Sequence, residues 1–159
     1  MSGTCELAFF NFGLLTAPTE SPEFVEFITL AAEIFAAAEA APGFIWRSKT
    51  PGSIGVPVRG YPSLGGFLST WQSYESFKAF SYGPAHVTAF RRNRLWVRRS
   101  DVPTAALWWV PTGHHPTVPE AEERLRHLAA HGPSPYSFGP LAPFPPQLTC
   151  VSEVGTASS

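Results

Sequence analysis

The sequence predicts an α+β fold, a ferredoxin-like βαββαβ sandwich with an extra C-terminal helix. Three observations lead to this prediction. Apolar strand-like segments and amphipathic helix-like segments follow one another in the order β-α-β-β-α-β. A further capped amphipathic segment comes after the last strand. The strands are apolar on both faces. Two strand–helix–strand units of this kind form a four-stranded antiparallel sheet with helices on one face.

The first unit comprises a strand, a helix and a second strand. Residues 5–12 (CELAFFNF) predict a strand that ends at Gly13. Ser21 is a typical N-cap, and proline suits the first helical position because no N–H is needed there. The helix carries apolar residues at 24, 27, 28, 31, 34 and 35, a stripe of period 3.6. Pro42-Gly43 ends it, and residues 44–49 form the second strand.

The second unit begins after a long loop. Residues 50–63 hold six Gly and Pro residues and predict a turn-rich loop that acts as a flap. Residues 64–71 form the third strand. Ser73 caps a second helix, which Gly83-Pro84 interrupts and which ends near Trp96.

The fourth strand covers residues 104–110. Thr117 and Glu120 form a T-x-x-E capping box for a third helix at 118–131, which Gly132 ends. Six prolines after it exclude regular structure. We therefore expect one domain over residues 1–140 and a Pro-rich C-terminal tail over residues 141–159.

Apolar residues on both faces of the strands bear on assembly. A sheet with helices on one side should alternate apolar and polar residues. We therefore expect the bare face to pack against a second copy, which gives a homodimer in the form of a dimeric α/β barrel. The alternative is a monomer whose flap and tail cover the sheet. One face carries Phe10, Phe12, Trp108 and Val110, and the other carries Leu7, Phe9, Leu107 and Trp109.

Composition narrows the class of partner. The net charge of −1 gives no general attraction to nucleic acid or anionic lipid. Glu26, Glu33 and Glu39 interrupt the most apolar helix, which argues against a membrane span. No signal peptide is visible and two cysteines make no disulfide scaffold, so a cytoplasmic protein is expected. Few charges and many aromatic rings instead indicate an apolar small-molecule pocket or a subunit interface.

Several segments resemble a known family. They are WRS after PGF at 42–48, W-x-S-x-x-x-F at 71–77, the later His86, and ALWWVPTGHHPTVPEAEERLRHLAAHGPSP at 106–135. Together they resemble the DUF3291 group of small domains of unassigned function, within the dimeric α/β-barrel superfamily. The resemblance spans roughly residues 5–140 and is most specific in the last block.

The superfamily resemblance implies several activities. Its members include antibiotic-biosynthesis monooxygenases, which need no metal or flavin, haem-degrading monooxygenases, and isomerases or cyclases. The catalytic set of the haem-degrading branch is matched here by Asn11, Trp71 and His86. The resemblance thus implies no cofactor as the first expectation and haem bound by His86 as the alternative. The Gly83-Pro84 break and the extra C-terminal helix depart from the haem-degrading pattern.

His86 is the first candidate for a catalytic residue. Imidazole titrates near neutrality and can abstract a proton or bind a metal. Tyr82 and Phe90 lie one turn on either side of it, so a phenol could hold a substrate oxygen beside the imidazole. The alternative for His86 is a core histidine with one hydrogen bond. Asn11 could stabilise an oxyanion, or it could simply end its strand before Gly13.

The predicted substrate-binding wall is aromatic. Trp108 and the neighbouring Trp109 point to opposite faces, so only one of them can line a given cavity. The histidine pair His127 and His131 lacks an acidic partner, and no metal is expected. The predicted enzyme is a cofactor-independent monooxygenase or a cyclase or isomerase of secondary metabolism; a haem protein and a non-catalytic ligand-binding module are the alternatives. The wall comprises Trp71, Phe80, Phe90, Trp96 and Trp108.

Overall fold

An antiparallel sheet organises the protein. The computed structural model describes residues 5–15, 21–49, 56–58, 61–93, 97–98, 102–146 and 150. The elements are β1 (Cys5–Phe12), β2 (Leu14–Leu15), α1 (Pro22–Ala40), β3 (Phe44–Arg47), β4 (Val56–Val58), β5 (Tyr61–Trp71), α2 (Tyr74–Ser81), α3 (Pro84–Asn93), β6 (Val97–Arg98), β7 (Ala105–Pro111) and α4 (Val118–His131).

The four long strands have the ferredoxin-like order. Neighbouring strands run β3-β5-β1-β7, and every pair is antiparallel. The short β4 pairs with β5, and β2 pairs with β6 in a separate two-stranded ribbon. The predicted α+β class and the βαββαβ order are therefore confirmed. No helix in the described part of the chain is long and apolar enough to cross a membrane.

The predicted long loop is shorter than expected. β4 and the first three residues of β5 fall within residues 50–63, and Val58 pairs with Tyr61. The glycines and prolines there predicted turns, but pairing between the two strands prevails over local propensity. Residues 50–55 and 59–60 lie outside the described residues, as does the predicted helix end at Trp96.

Helix boundaries follow the predicted caps. The Ser73 hydroxyl accepts a hydrogen bond from the Ser76 N–H, and the Thr117 hydroxyl accepts one from the Glu120 N–H. Gly43, at a φ of 83°, turns the chain from α1 into β3. A Cβ at Gly43 would collide with the Ser76 hydroxyl, so only glycine lets this turn lie against α2.

We call the two sides of the sheet the α1 face and the α4 face. The α1 face carries Leu7, Phe9 and Leu107 and is covered by α1 and α2 through Ala38 and Phe77. The α4 face is covered by the C-terminal helix of the same chain. Its buried cluster comprises Ala8, Phe10, Leu68, Ala106, Trp108 and Val110 with Ala121, Leu125 and Leu128 of α4.

The position of α4 removes the reason for expecting a second copy on the bare face. We expected all helices on one side of the sheet, yet α4 packs on the other side, and both faces are buried within one chain. The monomer alternative named the flap and the tail as the cover, whereas the structure uses a helix. A homodimer accordingly remains a prediction that needs another interface.

The Pro-rich segment after α4 is packed against the domain. Phe138 is fully buried and exchanges two backbone hydrogen bonds with Leu107, which covers the outer edge of β7. Phe144 packs on Phe138, and its carbonyl accepts a hydrogen bond of 2.7 Å from Trp109 Nε1. Prolines lack N–H groups, but their carbonyls can still accept hydrogen bonds. The Tyr74 hydroxyl donates one to the Pro140 carbonyl. Residues up to Phe144 therefore contact the domain, beyond the predicted boundary at 140.

Candidate functional site

Three aromatic side chains link the core of the α1 face to α3. Trp71, at the end of β5, is fully buried, and its Nε1 donates to the Ser69 hydroxyl at 3.0 Å. Phe80 of α2 stacks on Trp71 with a centroid distance of 5.2 Å and an interplanar angle of 23°. The same ring meets His86 edge to face at 5.4 Å. The structure therefore brings together three of the predicted site residues: Phe80 contacts both Trp71 and His86.

His86 is half-buried in the first turn of α3. Burial lowers the pKa of His86 from its ordinary value, and a hydrogen bond to the backbone of Ser81 opposes part of that effect. The lowered pKa favours the neutral form of this imidazole. A neutral imidazole has one nitrogen that can accept a proton, so His86 is chemically suited to act as a base.

Asn11 lies on the α1 face, at the other end of the same wall. Side chains alternate along a strand, so Asn11 points to the side of Phe9 and Leu7. It pairs with Phe67 on β5, while Leu7 pairs with Trp71. Four residues of strand therefore separate the backbone positions of Asn11 and Trp71, a length of about 13 Å. Asn11 is half-buried, and the register places it away from the Trp71 end of the wall.

A run of phenylalanines joins the two ends of the wall. Phe67 stacks on Phe35 of α1 at 5.0 Å and meets Phe9 at 6.3 Å. Phe9 in turn lies 4.5 Å from Phe77, which contacts Trp71 at 6.1 Å. These four phenylalanines were not among the predicted site residues. Strand alternation from Asn11 would have found Phe9, but Phe67 and Phe35 require the register of β1 against β5.

Tyr82 is not grouped with His86. It is the C-cap residue of α2 and is 52% exposed. The prediction that Tyr82 and His86 share a face assumed one continuous helix, and the break at Gly83-Pro84 resets the helical phase between them. Burial raises the pKa of Tyr74, a residue of α2, and the nearby Tyr82 raises it further.

Trp108 is separated from the other predicted wall residues. It is fully buried on the α4 face, where its Nε1 donates to Glu120 at 3.0 Å. The register pairs Leu7 with both Trp71 and Trp109, so Trp109 is the tryptophan of β7 that shares the face of Trp71. The expectation of one cavity lined by Trp71 and Trp108 is therefore corrected. The side chain of Phe90 and the whole of Trp96 lie outside the described residues.

The haem set suggested by the resemblance does not fit this arrangement. Trp71 has no exposed surface, because Phe77, Phe80 and Phe44 pack around it. A haem held by His86 could not contact Trp71 unless Phe80 moved away. Within the described residues, no group of three or more His, Cys, Asp or Glu side chains could hold a metal ion.

The fold and its aromatic wall define a ferredoxin-like α+β protein whose half-buried histidine stands against apolar rings. The family described as a domain of unknown function, DUF3291, matches residues 6–153, and the chain belongs to that family. No protein with a curated description matches the chain.

Solved structures share this fold at low sequence identity. A conserved protein from Methanosarcina mazei is 12% identical, with a TM-score of 0.50 over 69% of this chain and 94% of that one. A candidate antibiotic biosynthesis monooxygenase from Nitrosomonas europaea is 9% identical, with a TM-score of 0.50 over 74% and 97% of the two chains. SnoaB, a cofactor-independent oxygenase from Streptomyces nogalater, is 16% identical, with a TM-score of 0.49 over 72% and 98%.

Proposed function

We propose that the protein is an enzyme that abstracts a proton from an apolar, oxygenated small molecule, with His86 as the general base. The substrate is a polyketide, terpenoid or aromatic compound with an acidic C–H beside a carbonyl group. The reaction is an oxygenation without a cofactor, or a cyclisation or isomerisation of the same carbanion. Similarity of fold to the Nitrosomonas europaea protein supports the oxygenase branch as an analogy.

The observation that carries this proposal is the setting of His86. Its ring is half-buried against Phe80, and burial lowers its pKa. An enzyme base works best when it is deprotonated at the operating pH, and a lowered pKa favours that form of His86. A flat apolar substrate would gain from contact with the exposed part of the Phe80 ring, next to the imidazole.

The reaction can be written with all atoms accounted for. His86 takes one proton from the methylene carbon, and the electron pair delocalises onto the carbonyl oxygen as an enolate. The Asn11 amide could stabilise that oxygen by donating a hydrogen bond, if the substrate spans the wall. In the oxygenase branch, dioxygen adds to the carbon and the peroxide anion takes back the proton from His86; the hydroperoxide then loses water, with the second hydrogen of the methylene, and the methylene becomes a carbonyl. In the other branch, the carbanion attacks a second carbonyl carbon of the same molecule, the π electrons of that carbonyl move to its oxygen, and His86 returns the proton to this oxygen, so that no dioxygen is consumed.

The test uses anthrone, a flat tricyclic ketone whose acidic methylene group is conjugated to the carbonyl through the aromatic rings, so that its carbanion is likewise an enolate. Deuterium exchange at that methylene is measured by NMR in deuterated buffer without oxygen, a step that both branches share. We expect His86→Gln to slow the protein-dependent exchange about 100-fold or more. His127→Gln, the same substitution at a half-buried histidine of α4, should leave it unchanged. Equal exchange rates with the wild type, with His86→Gln and in buffer alone would refute the role of His86 as the base.

Oxygen uptake then separates the branches. In air, an oxygenase forms one anthraquinone and one water for each dioxygen consumed. A cyclase or isomerase exchanges deuterium without consuming oxygen above the rate of the buffer. A non-catalytic binding module would bind anthrone with unchanged affinity in His86→Gln and would accelerate neither process.

A further inference from the structure

Two buried polar side chains on the α4 face each have an oxygen without a protein partner. Glu6 of β1 is 6% exposed, and its Oε1 accepts a hydrogen bond of 3.1 Å from the Gly113 N–H. Its other oxygen, Oε2, is buried and makes no hydrogen bond within the described part of the chain. The same is true of the hydroxyl of Thr70 on β5, a residue with no exposed surface. Both oxygens have lost the hydrogen bonds that water would supply, which is unfavourable.

Strand pairing puts these two side chains at neighbouring positions. Glu6 and Ala8 lie on the same face of β1, and Ala8 pairs directly with Thr70. Glu6 and Thr70 are therefore diagonal neighbours on adjacent strands, about 7–8 Å apart, a separation that a long side chain can span. Trp46 of β3 pairs with Thr70 from the other side. We call Glu6 and Thr70 the polar patch of the α4 face, since the cluster around them is apolar.

The connection between β7 and α4, residues 112–117, encloses this patch. Gly113 donates its N–H to Glu6, as described above. His115, two residues later, stacks on Trp46 with a centroid distance of 4.5 Å and an interplanar angle of 6°. Pro116 follows and is buried. Any partner of the two oxygens must therefore be small enough to lie beneath this connection.

Glu6 also lacks an opposite charge. No ion pair among the described residues includes it, and His114 pairs with Glu120 at 2.9 Å instead. A desolvated carboxylate without a counter-charge is strongly unfavourable. A proton would neutralise Glu6 but leave the Thr70 hydroxyl unpaired, and a water molecule would pair both oxygens but leave the charge. A cation bound to both oxygens satisfies both requirements.

We propose that Glu6 and Thr70 are two of the ligands of a buried monovalent cation of the size of K⁺. Both orphaned atoms are oxygens, the ligand type of hard cations, whereas transition metals take nitrogen or sulfur ligands more readily. One carboxylate balances one positive charge, so a divalent ion would leave an excess charge in the core. This oxygen site is distinct from the histidine pair considered for a metal in the sequence, and it does not involve His86.

The cation links strands β1 and β5 beneath the connection that leads into α4. Because Glu6 also holds the Gly113 N–H, the bound cation stabilises the position of this connection and, with it, the start of α4. A ligand that binds only the folded protein raises its stability by mass action. The stability of the wild type should therefore depend on K⁺.

The first test is thermal unfolding of the wild type in KCl and in tetramethylammonium chloride at the same ionic strength. Tetramethylammonium carries the same charge but is too large for an enclosed site. We expect the melting temperature to be higher in KCl by about 3 °C or more once K⁺ exceeds its dissociation constant 10-fold. Equal melting temperatures in the two salts would overturn the proposal.

Substitutions at the patch distinguish this site from a general salt effect. Glu6→Gln keeps the shape of the side chain and removes its charge, so the difference between the two salts should disappear. Glu123→Gln, on the exposed side of α4, is the matched control and should keep that difference. A difference that persists in Glu6→Gln would contradict the proposal.

Thr70 has its own pair of variants. Thr70→Val replaces the hydroxyl by a methyl group, and the K⁺ concentration that gives half of the stabilisation should rise about 10-fold. Thr70→Ser keeps the hydroxyl and should resemble the wild type. Equal K⁺ dependence of Thr70→Val and the wild type would remove Thr70 from the site.

Diffraction from wild-type crystals soaked in RbCl answers the question without any substitution, so it applies even if a variant fails to fold. Rb⁺ is close to K⁺ in size and scatters anomalously. We expect an anomalous peak in contact with Glu6 Oε2 and Thr70 Oγ1. An ordered water only, with no anomalous peak, would refute the cation and show that a proton neutralises Glu6.

Discussion

Phe80 stacks on Trp71 at a centroid distance of 5.2 Å and presents an edge-to-face contact to His86 on α3. This single ring therefore covers a fully buried tryptophan and contributes to the burial of a titratable group. Phe80 therefore links the packing over Trp71 to the burial of His86, and both effects can be measured.

We expect Phe80→Ala to have two effects. Removing the half-buried ring should lower the free energy of unfolding by about 2–3 kcal/mol, because core packing over Trp71 is lost. The pKa of His86 should rise toward its ordinary value of 6.5, because burial is what lowers it. Urea denaturation and an NMR titration of His86 measure the two quantities. Phe80→Leu keeps an apolar side chain over Trp71, so both its stability and its His86 pKa should lie between those of the wild type and Phe80→Ala. An unchanged His86 pKa in Phe80→Ala would show that groups other than Phe80 bury the imidazole.

The cover of the α4 face provides a second prediction. Leu125 is 8% exposed and packs in the cluster with Trp108. Leu125→Ala should lower the free energy of unfolding by about 2–4 kcal/mol, at every protein concentration tested. Arg126→Ala removes only an exposed ion pair with Glu123 and should change the free energy of unfolding by less than about 0.5 kcal/mol. A small effect for Leu125→Ala, or one that depends on concentration, would favour a second copy as the cover of this face.

Glu120 should make part of the stability depend on pH. Burial acts to raise its pKa, but hydrogen bonds from His114, Trp108 and the Thr117 backbone, together with the charge of His114, outweigh burial, and the net pKa is lowered. A carboxyl whose folded pKa is below the value of 4.5 in the unfolded chain contributes stability above about pH 4.5. That contribution is lost as the pH falls through the folded pKa.

Unfolding of wild type and Glu120→Gln across pH checks this contribution. We expect the wild type to be more stable by about 1 kcal/mol at neutral pH, and the difference to vanish in acid. Glu123→Gln, on the exposed side of α4, should show little difference at any pH. A difference between wild type and Glu120→Gln that stays constant down to pH 3 would contradict the lowered pKa.

The boundary of the folded domain can be tested by truncation. A chain ending at residue 140 loses Phe144, which packs on Phe138 and accepts the hydrogen bond from Trp109. It should be less stable than a chain ending at residue 146 by about 1–3 kcal/mol, from lost apolar burial and an unpaired indole N–H. Equal stability of the two chains would show that residues 141–146 belong to the loose Pro-rich tail predicted from the sequence.

Local signals in the sequence predicted most elements of the fold. Ser73, Thr117 and Gly83-Pro84 act through neighbouring residues, and the structure places a cap or a break at each of them. The side of the sheet that α4 covers could not be predicted. Helical periodicity shows which stripe of a helix is apolar, but it does not show which sheet face receives that stripe.

The candidate site was predictable only in part, for the same reason. Alternation within β7 showed that Trp108 and Trp109 point to opposite faces. Which of the two joins Trp71 depends on the pairing of both β5 and β7 with Leu7, and pairing register is a tertiary property. The contact between Phe80 and His86 likewise crosses from α2 to α3, so helical spacing along one helix could not reveal it.

A crystal structure with bound anthraquinone, the product expected from anthrone, tests the central claim most directly. The account predicts electron density for the flat ring system on the α1 face, in contact with Phe80 and within hydrogen-bonding reach of His86. Density beside Trp108 on the α4 face, or a His86 ring with no contact to the bound molecule, would contradict it.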